Sequence, residues 1–361
     1  MKTYKAALIG CSRMGAFIDN EVSADRYPYS HAAGYEVCDR TELVACSDLR
    51  EDVMAQVGDR FGIAKEHQYT DYKEMMEKVK PDIVSVATQP EPRSEIVTYV
   101  ANNGAKAIYA EKAMAASMPE AEAMVAACEN NGVFFNLGTN RRWDRGFDVM
   151  KEIIDSGRLG ALKALTIYST SSLFNGASHS FDLIMRLNSD HPAVWVQGLL
   201  RDADDGINNG KISLDPIGEG IIKFENGVTG YALNCGSRKA EWEAVCEDGV
   251  ITALGNGEEF QLREPGEADH RGRAKLALGK FPDYEWKSST LVLVEDLVQA
   301  LDTGNPTRCG ARIAGASTEL IFAVIESHMK GGARINLPLK DSTIRLERGI
   351  AAKQPKFVRK E

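Results

Sequence analysis

The chain is poor in the groupings that build metal and nucleophile centres. Its 361 residues include only six histidines, and no two stand at HxxxH spacing, so no metal site is expected. Seven cysteines (Cys11, Cys38, Cys46, Cys128, Cys235, Cys246 and Cys309) contain no CxxC pair, which argues against a structural zinc site or a disulfide framework. A GxSxG elbow and a GxxxxGK(S/T) loop are both missing, setting aside a serine hydrolase and a P-loop nucleotidase. No apolar stretch approaches the ~20 residues a membrane helix needs. No signal-peptide pattern precedes the run Ala6–Ile9, and a reducing, cytoplasmic setting is expected. Basic residues are outnumbered, 43 against 52, for a net charge of −9, so a phosphate-gripping face for nucleic acid is not suggested.

What is present has globular proportions, 43% apolar and 26% charged, in a chain long enough for two domains. The first third alternates buried strands with helices. Strand signals fall at 6–9, 42–47, 81–87, 107–110 and 133–137; helical patterns fall at 51–61, 72–78, 94–102 and 118–130. Strands that are apolar throughout predict a parallel sheet covered on both faces. Asn103-Gly104 and Asn131-Gly132 end helices, and Ser117 with Glu120 predicts a capping box. Past Arg141 the pattern changes. A helix over 147–156 is followed by a strand at 162–169 and a helix at 180–187. Strands at 194–200, 219–224, 229–235, 242–246 and 250–253 come next, then helices at 289–301 and 314–329. The expected fold is α/β followed by α+β, with domains 1–140 and 141–361. The polar stretch Pro265–Arg273 is read as a solvated loop.

The first strand runs into Gly10-Cys-Ser-Arg-Met-Gly15, a GxSxxG variant of the dinucleotide motif, with Ser12 in the place of the middle glycine. The motif is expected to open a helix whose N-terminus suits a phosphate. Asp48 closes the second strand, where an acid accepts hydrogen bonds from ribose hydroxyls and repels a 2′-phosphate. This favours NAD over NADP, and nearby Arg50 softens the preference. The other reading of Asp48 is a cap for the helix near Glu51. Gly15 and Asp48 are 33 residues apart rather than the usual ~20. The excess is the polar stretch Asp19–Ser30, read as a loop beside the cofactor, a subunit contact or a surface decoration.

The chain resembles the glucose–fructose oxidoreductase / inositol dehydrogenase / MocA (Gfo/Idh/MocA) family of sugar oxidoreductases. The resemblance rests on Gly10–Gly15, His31-Ala-Ala-Gly-Tyr35, Tyr69-Thr-Asp-Tyr72, Ala87-Thr-Gln-Pro90, Glu111-Lys-Ala113 and Asn140-Arg-Arg-Trp143. It continues in Ile154–Gly160, Gly176–Asp182 and Gly331–Pro338. It implies an N-terminal Rossmann-type domain and a C-terminal α+β domain with an open-faced sheet that joins subunits into a homo-oligomer. It also implies hydride transfer between NAD and a ring carbon of a sugar, glycoside or cyclitol.

Residue by residue, the resemblance assigns catalysis to Lys112 and His179. It assigns substrate contact to Asn175, Trp143, Arg142 and Asp182. Cofactor contact falls to Gly10, Ser12, Arg13, Met14, Gly15, Asp48, Arg50, Thr88, Gln89, Arg93, Glu111, Lys112 and Asn140. Lys112 is an acid/base candidate because burial or a neighbouring cation lowers a lysine's pKa; its bland alternative is a surface lysine at a strand end. His179 is otherwise a capping residue, and Trp143 is either a wall for the sugar ring or core. The sequence departs from the family pattern in several places. Ala113 stands where the family has proline, Asn175 where relatives carry aspartate, Gln89 for proline or asparagine, and Arg93 for histidine. Two alternatives stay open: a variant that retains and recycles NAD for elimination or glycoside cleavage, and a non-catalytic dinucleotide or sugar sensor.

Overall fold

Tyr4–Ile9 carries too few polar residues for a strand with one wet face. In the computed structural model it forms β1, buried inside a six-stranded parallel sheet. Residues 2–169, 171–201, 206–235, 239–273 and 275–349 are described. Residue 1 and residues 350–361 of the expected domains lie outside them. The described chain divides into two units, one of residues 2–143, 287–315 and 347–349, the other of 144–286 and 316–346.

The first unit adds β2 (Thr41–Ser47), β3 (Gln68–Tyr69), β4 (Ile83–Val86), β5 (Ala107–Ala110) and β6 (Phe134–Leu137), in the order β3-β2-β1-β4-β5-β6. The order reverses between β1 and β4, which makes a switch point at the carboxyl edge. Its helices are α1 (His31–Val37), α2 (Glu51–Phe61), α3 (Tyr72–Val79), α4 (Pro90–Asn102) and α5 (Met118–Asn130). The structure begins α4 at Pro90, four residues before the sequence reading. Pro90 and Pro92 lie in the first turn, where a missing N–H costs nothing. The capping box at Ser117 is not made. Its hydroxyl caps nothing, and Glu120 instead accepts the N–H of Ala116 at 3.2 Å.

The expected helix after the glycine motif is also corrected. Arg13–Phe17 is a five-residue π-helical turn, a 3-10 turn follows at Ile18–Asn20, and α-helix starts only at His31. The intervening polar residues offer no apolar stripe for a helix to bury. Asp19 organises them, accepting the N–H groups of Tyr29 (2.7 Å) and Ser30 (3.2 Å).

The second unit begins with α6 (Arg145–Asp155), β7 (Leu162–Tyr168), α7 (Ser178–Leu187) and β8 (Ala193–Arg201). The short β9 (Ile207–Asn208) and β10 (Lys211–Ile212) precede β11 (Ile217–Phe224) and β12 (Thr229–Leu233). Then come β13 (Glu241–Cys246), β14 (Val250–Leu254), β15 (Glu259–Pro265) and β16 (Leu276–Gly279). With β17 (Ile335–Asn336) they form a nine-stranded sheet, β16-β15-β14-β13-β7-β12-β11-β8-β17, while β18 (Arg345–Leu346) joins β10 and β9. The sequence reading missed β15 and β16; Pro265–Arg273 spans the end of β15 and the connection toward β16. One sheet face is covered. Gly198 of β8 meets Val324, and Gly230 of β12 meets Ile184 of α7, so close that a Cβ would stand 2.9 and 3.2 Å from those side chains. The opposite face exposes Leu199, Tyr231 and Leu233, as an open-faced sheet does.

Two long helices close the chain, α8 (Ser289–Thr303) and α9 (Ala311–Met329). Where the sequence reading runs one continuous domain from residue 141, residues 287–315 belong with the first unit instead. Asp296 of α8 shows why. Its Oδ2 accepts from Asn136 (2.8 Å), Trp143 Nε1 (3.3 Å) and the N–H of Arg308 (3.0 Å). Among the described residues no helix is long and apolar enough to cross a membrane. Replacing Asp296 strands three donors, so Asp296→Ala is expected to lower unfolding stability by about 2–3 kcal/mol. Urea-denaturation midpoints followed by tryptophan fluorescence check this.

Candidate functional site

Parallel strands deliver their carboxyl ends to one edge, and the ladder continues one residue past each strand. Gly10 N–H bonds Ser47 O, Asp48 N–H bonds Tyr69 O, Ala87 N–H bonds Ile9 O, and Glu111 N–H bonds Val86 O. This edge gathers the Gly10–Gly15 turn, Asp48, Thr88, Glu111 and Lys112. Gly10 has φ +93°, and a Cβ on it would lie 2.8 Å from Ala87 O. On Gly15 a Cβ would lie 2.0 Å from Gly10 O. Both positions therefore require glycine.

Asp48 ties this turn to β2. Its Oδ2 accepts the N–H of Cys11 at 2.7 Å, and its Oδ1 that of Arg50 at 2.9 Å. The N-cap of α2 is Arg50, so Asp48 does not cap that helix. Each Asp48 oxygen keeps a lone pair for a further donor. Arg50 itself turns to Asp52 at 2.6 Å. Ser12 is half-buried and its hydroxyl caps nothing, while Arg13 is exposed and bidentate to Glu21 at 2.8–2.9 Å. Met14 is half-buried. Gln89 is exposed, and its Oε1 accepts from Arg348 at 2.8 Å. Thr88 Oγ1 is buried without a hydrogen-bond partner. An unspent hydroxyl and open carboxylate lone pairs on one sheet edge fit a dinucleotide.

Lys112 is half-buried just past β5, and its peptide bond to Ala113 is cis. Its N–H donates to Glu111 Oε2 at 3.1 Å. The other oxygen of Glu111 lies 3.2 Å from His31 Nε2, and His31 Nδ1 lies 3.0 Å from Ser85 Oγ, which also meets the Tyr35 hydroxyl at 2.8 Å. The His31 ring stacks on Tyr109 with centroids 3.6 Å apart. Burial pushes the Glu111 carboxyl up, but the interaction with His31, its hydrogen bond first, and the charges of Lys112 and Arg93 outweigh it and hold it below its ordinary value. The sequence reading quoted His31-Ala-Ala-Gly-Tyr35 as part of the resemblance but gave His31 no role in the site. Its i, i+4 spacing to Tyr35, on a helix capped by Ser30, was the available signal.

Three assignments are corrected. Arg93 is almost fully buried and gives its guanidinium to the carbonyls of Ala113 and Thr88, so it is not placed to contact a cofactor. Arg142 is equally buried and donates to Arg308 O at 3.0 Å. Trp143 is 1% exposed with its indole N–H on Asp296, which makes it core rather than a wall for a sugar. Asn140 is half-buried and donates to Thr290 Oγ1 at 3.1 Å.

In the second unit, Asn175 is exposed on the π-helical turn Leu173–Ala177. His179 is half-buried in the first turn of α7, and Asp182 is fully buried three residues on. Asp215 shapes this turn, accepting from Ser172 Oγ (2.8 Å) and from the N–H groups of Phe174 and Asn175 (2.9 Å each). Sequence reasoning missed Asp215; its only mark is the Asp215-Pro216 pair.

Known proteins match this arrangement. The profile described as "Oxidoreductase family, NAD-binding Rossmann fold" matches residues 5–139. A D-apiose dehydrogenase of Rhizobium rhizogenes is 31% identical over 92% of this chain and 96% of its own length. The myo-inositol 2-dehydrogenase of Thermotoga maritima is 26% identical over 58% of this chain, and the match spans 65% of that enzyme, short of two thirds. A levoglucosan dehydrogenase solved with NADH and L-sorbose superposes with a TM-score of 0.75 at 18% identity, over 94% of this chain and all of the other. The chain belongs to the glucose–fructose oxidoreductase / inositol dehydrogenase / MocA family of oxidoreductases, and its first unit has the nicotinamide-dinucleotide-binding Rossmann fold.

The depressed Glu111 carboxyl carries a pH signature. A group whose pKa falls on folding adds stability that is complete above its ordinary value, about 4.5, and lost as pH drops through the folded value. The stability difference between wild type and Glu111→Gln is therefore expected to be constant from pH 8 to 5 and to shrink below about 4.5. Denaturant midpoints across that pH range check it.

Proposed function

We propose that the protein is an NAD-dependent dehydrogenase moving hydride between the nicotinamide and a ring carbon of a sugar, glycoside or cyclitol. The observation that carries this reading is the alignment of the Gly10–Gly15 turn, Asp48 and Lys112 along the carboxyl edge of one parallel sheet. When bound, the dinucleotide supplies the hydride acceptor. Asp48 takes the adenosine ribose hydroxyls on its open lone pairs and repels a 2′-phosphate. The Arg50 guanidinium, engaged by Asp52, offers that phosphate little compensation, which supports NAD over NADP.

Oxidation of an alcohol needs its hydroxyl proton removed as hydride leaves. Lys112 Nζ takes that proton in this reading, with its backbone fixed by Glu111. His179 and Asn175, on a second-unit turn shaped by Asp215, are this reading's hydrogen-bonding residues for sugar hydroxyls. The family resemblance supports these roles, and the names of the relatives point to pentose- and cyclitol-like substrates. Exposed Leu199, Tyr231 and Leu233 support a homo-oligomer joined through the open sheet face.

The test combines NADH and NADPH titration by fluorescence with NAD reduction at 340 nm on D-apiose, myo-inositol and common aldoses. NADH is expected to bind more tightly than NADPH, and at least one polyol to be oxidised. Lys112→Ala is expected to cut turnover by about 100- to 10,000-fold while NADH affinity stays within about threefold. Undiminished turnover in Lys112→Ala, or no binding of either dinucleotide, would overturn the reading.

A further inference from the structure

Arginine is almost never fully buried without a strong reason, because its charge must leave water. Arg93, near the start of α4, is 1% exposed. Burial pulls its pKa down to about 10, which leaves it charged at neutral pH, and Glu111 and Glu91 favour that charge. What it grips directly is backbone. One terminal nitrogen donates to the carbonyl of Ala113 and the other to that of Thr88, while Nε is buried without a partner.

These two carbonyls lie just past β5 and β4, neighbours in the sheet. A planar guanidinium with fixed donor directions sets the spacing of two such segments in a way an ammonium does not. The first of them is the residue directly after Lys112. Seen from Lys112, the backbone is therefore held on both sides, by Glu111 at its own N–H and by Arg93 at the next carbonyl. Ala113 has no ring to limit its backbone, whereas proline would fix φ there. Two departures from the family pattern, Arg93 and Ala113, thus meet in one hydrogen bond.

We infer that Arg93 is a positioning residue for Lys112: its guanidinium fixes the Lys112–Ala113 turn, which in this chain lacks a proline to fix it. The inference rests on the reading of Lys112 as the acid/base. Arg93 acts through the backbone and touches neither substrate nor cofactor.

A double-mutant cycle tests it, with Arg93→His, Ala113→Pro and the pair, each assayed for kcat, for KM of the sugar oxidised by wild type, and for NADH affinity. A lysine displaced by a loosened turn loses rate more than binding, so Arg93→His is expected to lower kcat by about 10- to 100-fold. Its NADH affinity and sugar KM should stay within about threefold. Ala113→Pro alone is expected to change kcat less than about threefold, and in the Arg93→His background to restore most of the lost rate. Arg93→Lys, which keeps the charge and loses the planar fork, should behave like Arg93→His if that variant does not fold. Losses that simply multiply, with no rescue by Ala113→Pro, overturn the inference. So does an Arg93→His protein with normal kcat and weakened NADH binding, since that is the behaviour of a cofactor contact.

Amide exchange at residues 111–115 separates this inference from the functional reading. If wild type oxidises none of the polyols, faster exchange there in Arg93→His, reversed by Ala113→Pro, still supports the clamp, and unchanged exchange refutes it.

Discussion

Glu111 is a buried carboxylate, and the carboxyl edge of the first unit is arranged to keep it charged. An unpaired anion at that depth would take up a proton instead. His31 from α1 hydrogen-bonds it, and Lys112 beside it and Arg93 from α4 supply positive charge. Because Glu111 spends one oxygen on His31 and the other on the N–H of Lys112, the charge balance also fixes the backbone of the lysine. Asp48 works the same way after β2, three strands away along the same edge, holding Cys11 and Arg50 by their N–H groups. Two acids, each bonded to main chain, define where the glycine turn and the lysine stand.

The parallel sheet was legible because its strands are apolar on both faces and punctuated by Asn-Gly and proline. β5, α2 and α5 fall within the bounds the residues suggest. What escaped did so for physical reasons. β3 is two residues long and shows no period. β15 is mostly polar, and β16 is an exposed four-residue Leu-Ala-Leu-Gly run without alternation, so their pairing is set by neighbours rather than by a pattern. The break-up of the crossover before α1 depends on Asp19 bonding residues ten and eleven positions on, which no local signal announces.

The candidate site was legible to different degrees. Gly10, Gly15 and Asp48 have a motif because the backbone demands it. Arg93, Arg142 and Trp143 took their expected roles from the family resemblance, and the structure spends their side-chain chemistry inward. A guanidinium that grips carbonyls looks, in sequence, like one that grips a ligand. His31 was overlooked for the opposite reason: its partners Ser85 and Glu111 are 54 and 80 residues away.

The placement of α8 in the first unit has a consequence for synthesis. Asn136 and Trp143 leave the ribosome long before Asp296, which receives both their donors. The remaining residues to 315 follow only after the whole 144–286 stretch has been made. At about 5–20 residues per second this delay is on the order of ten to thirty seconds. During it the nascent first unit carries an unfilled place for α8, and the newer 144–286 stretch is already emerging, so the half made first is the half completed late.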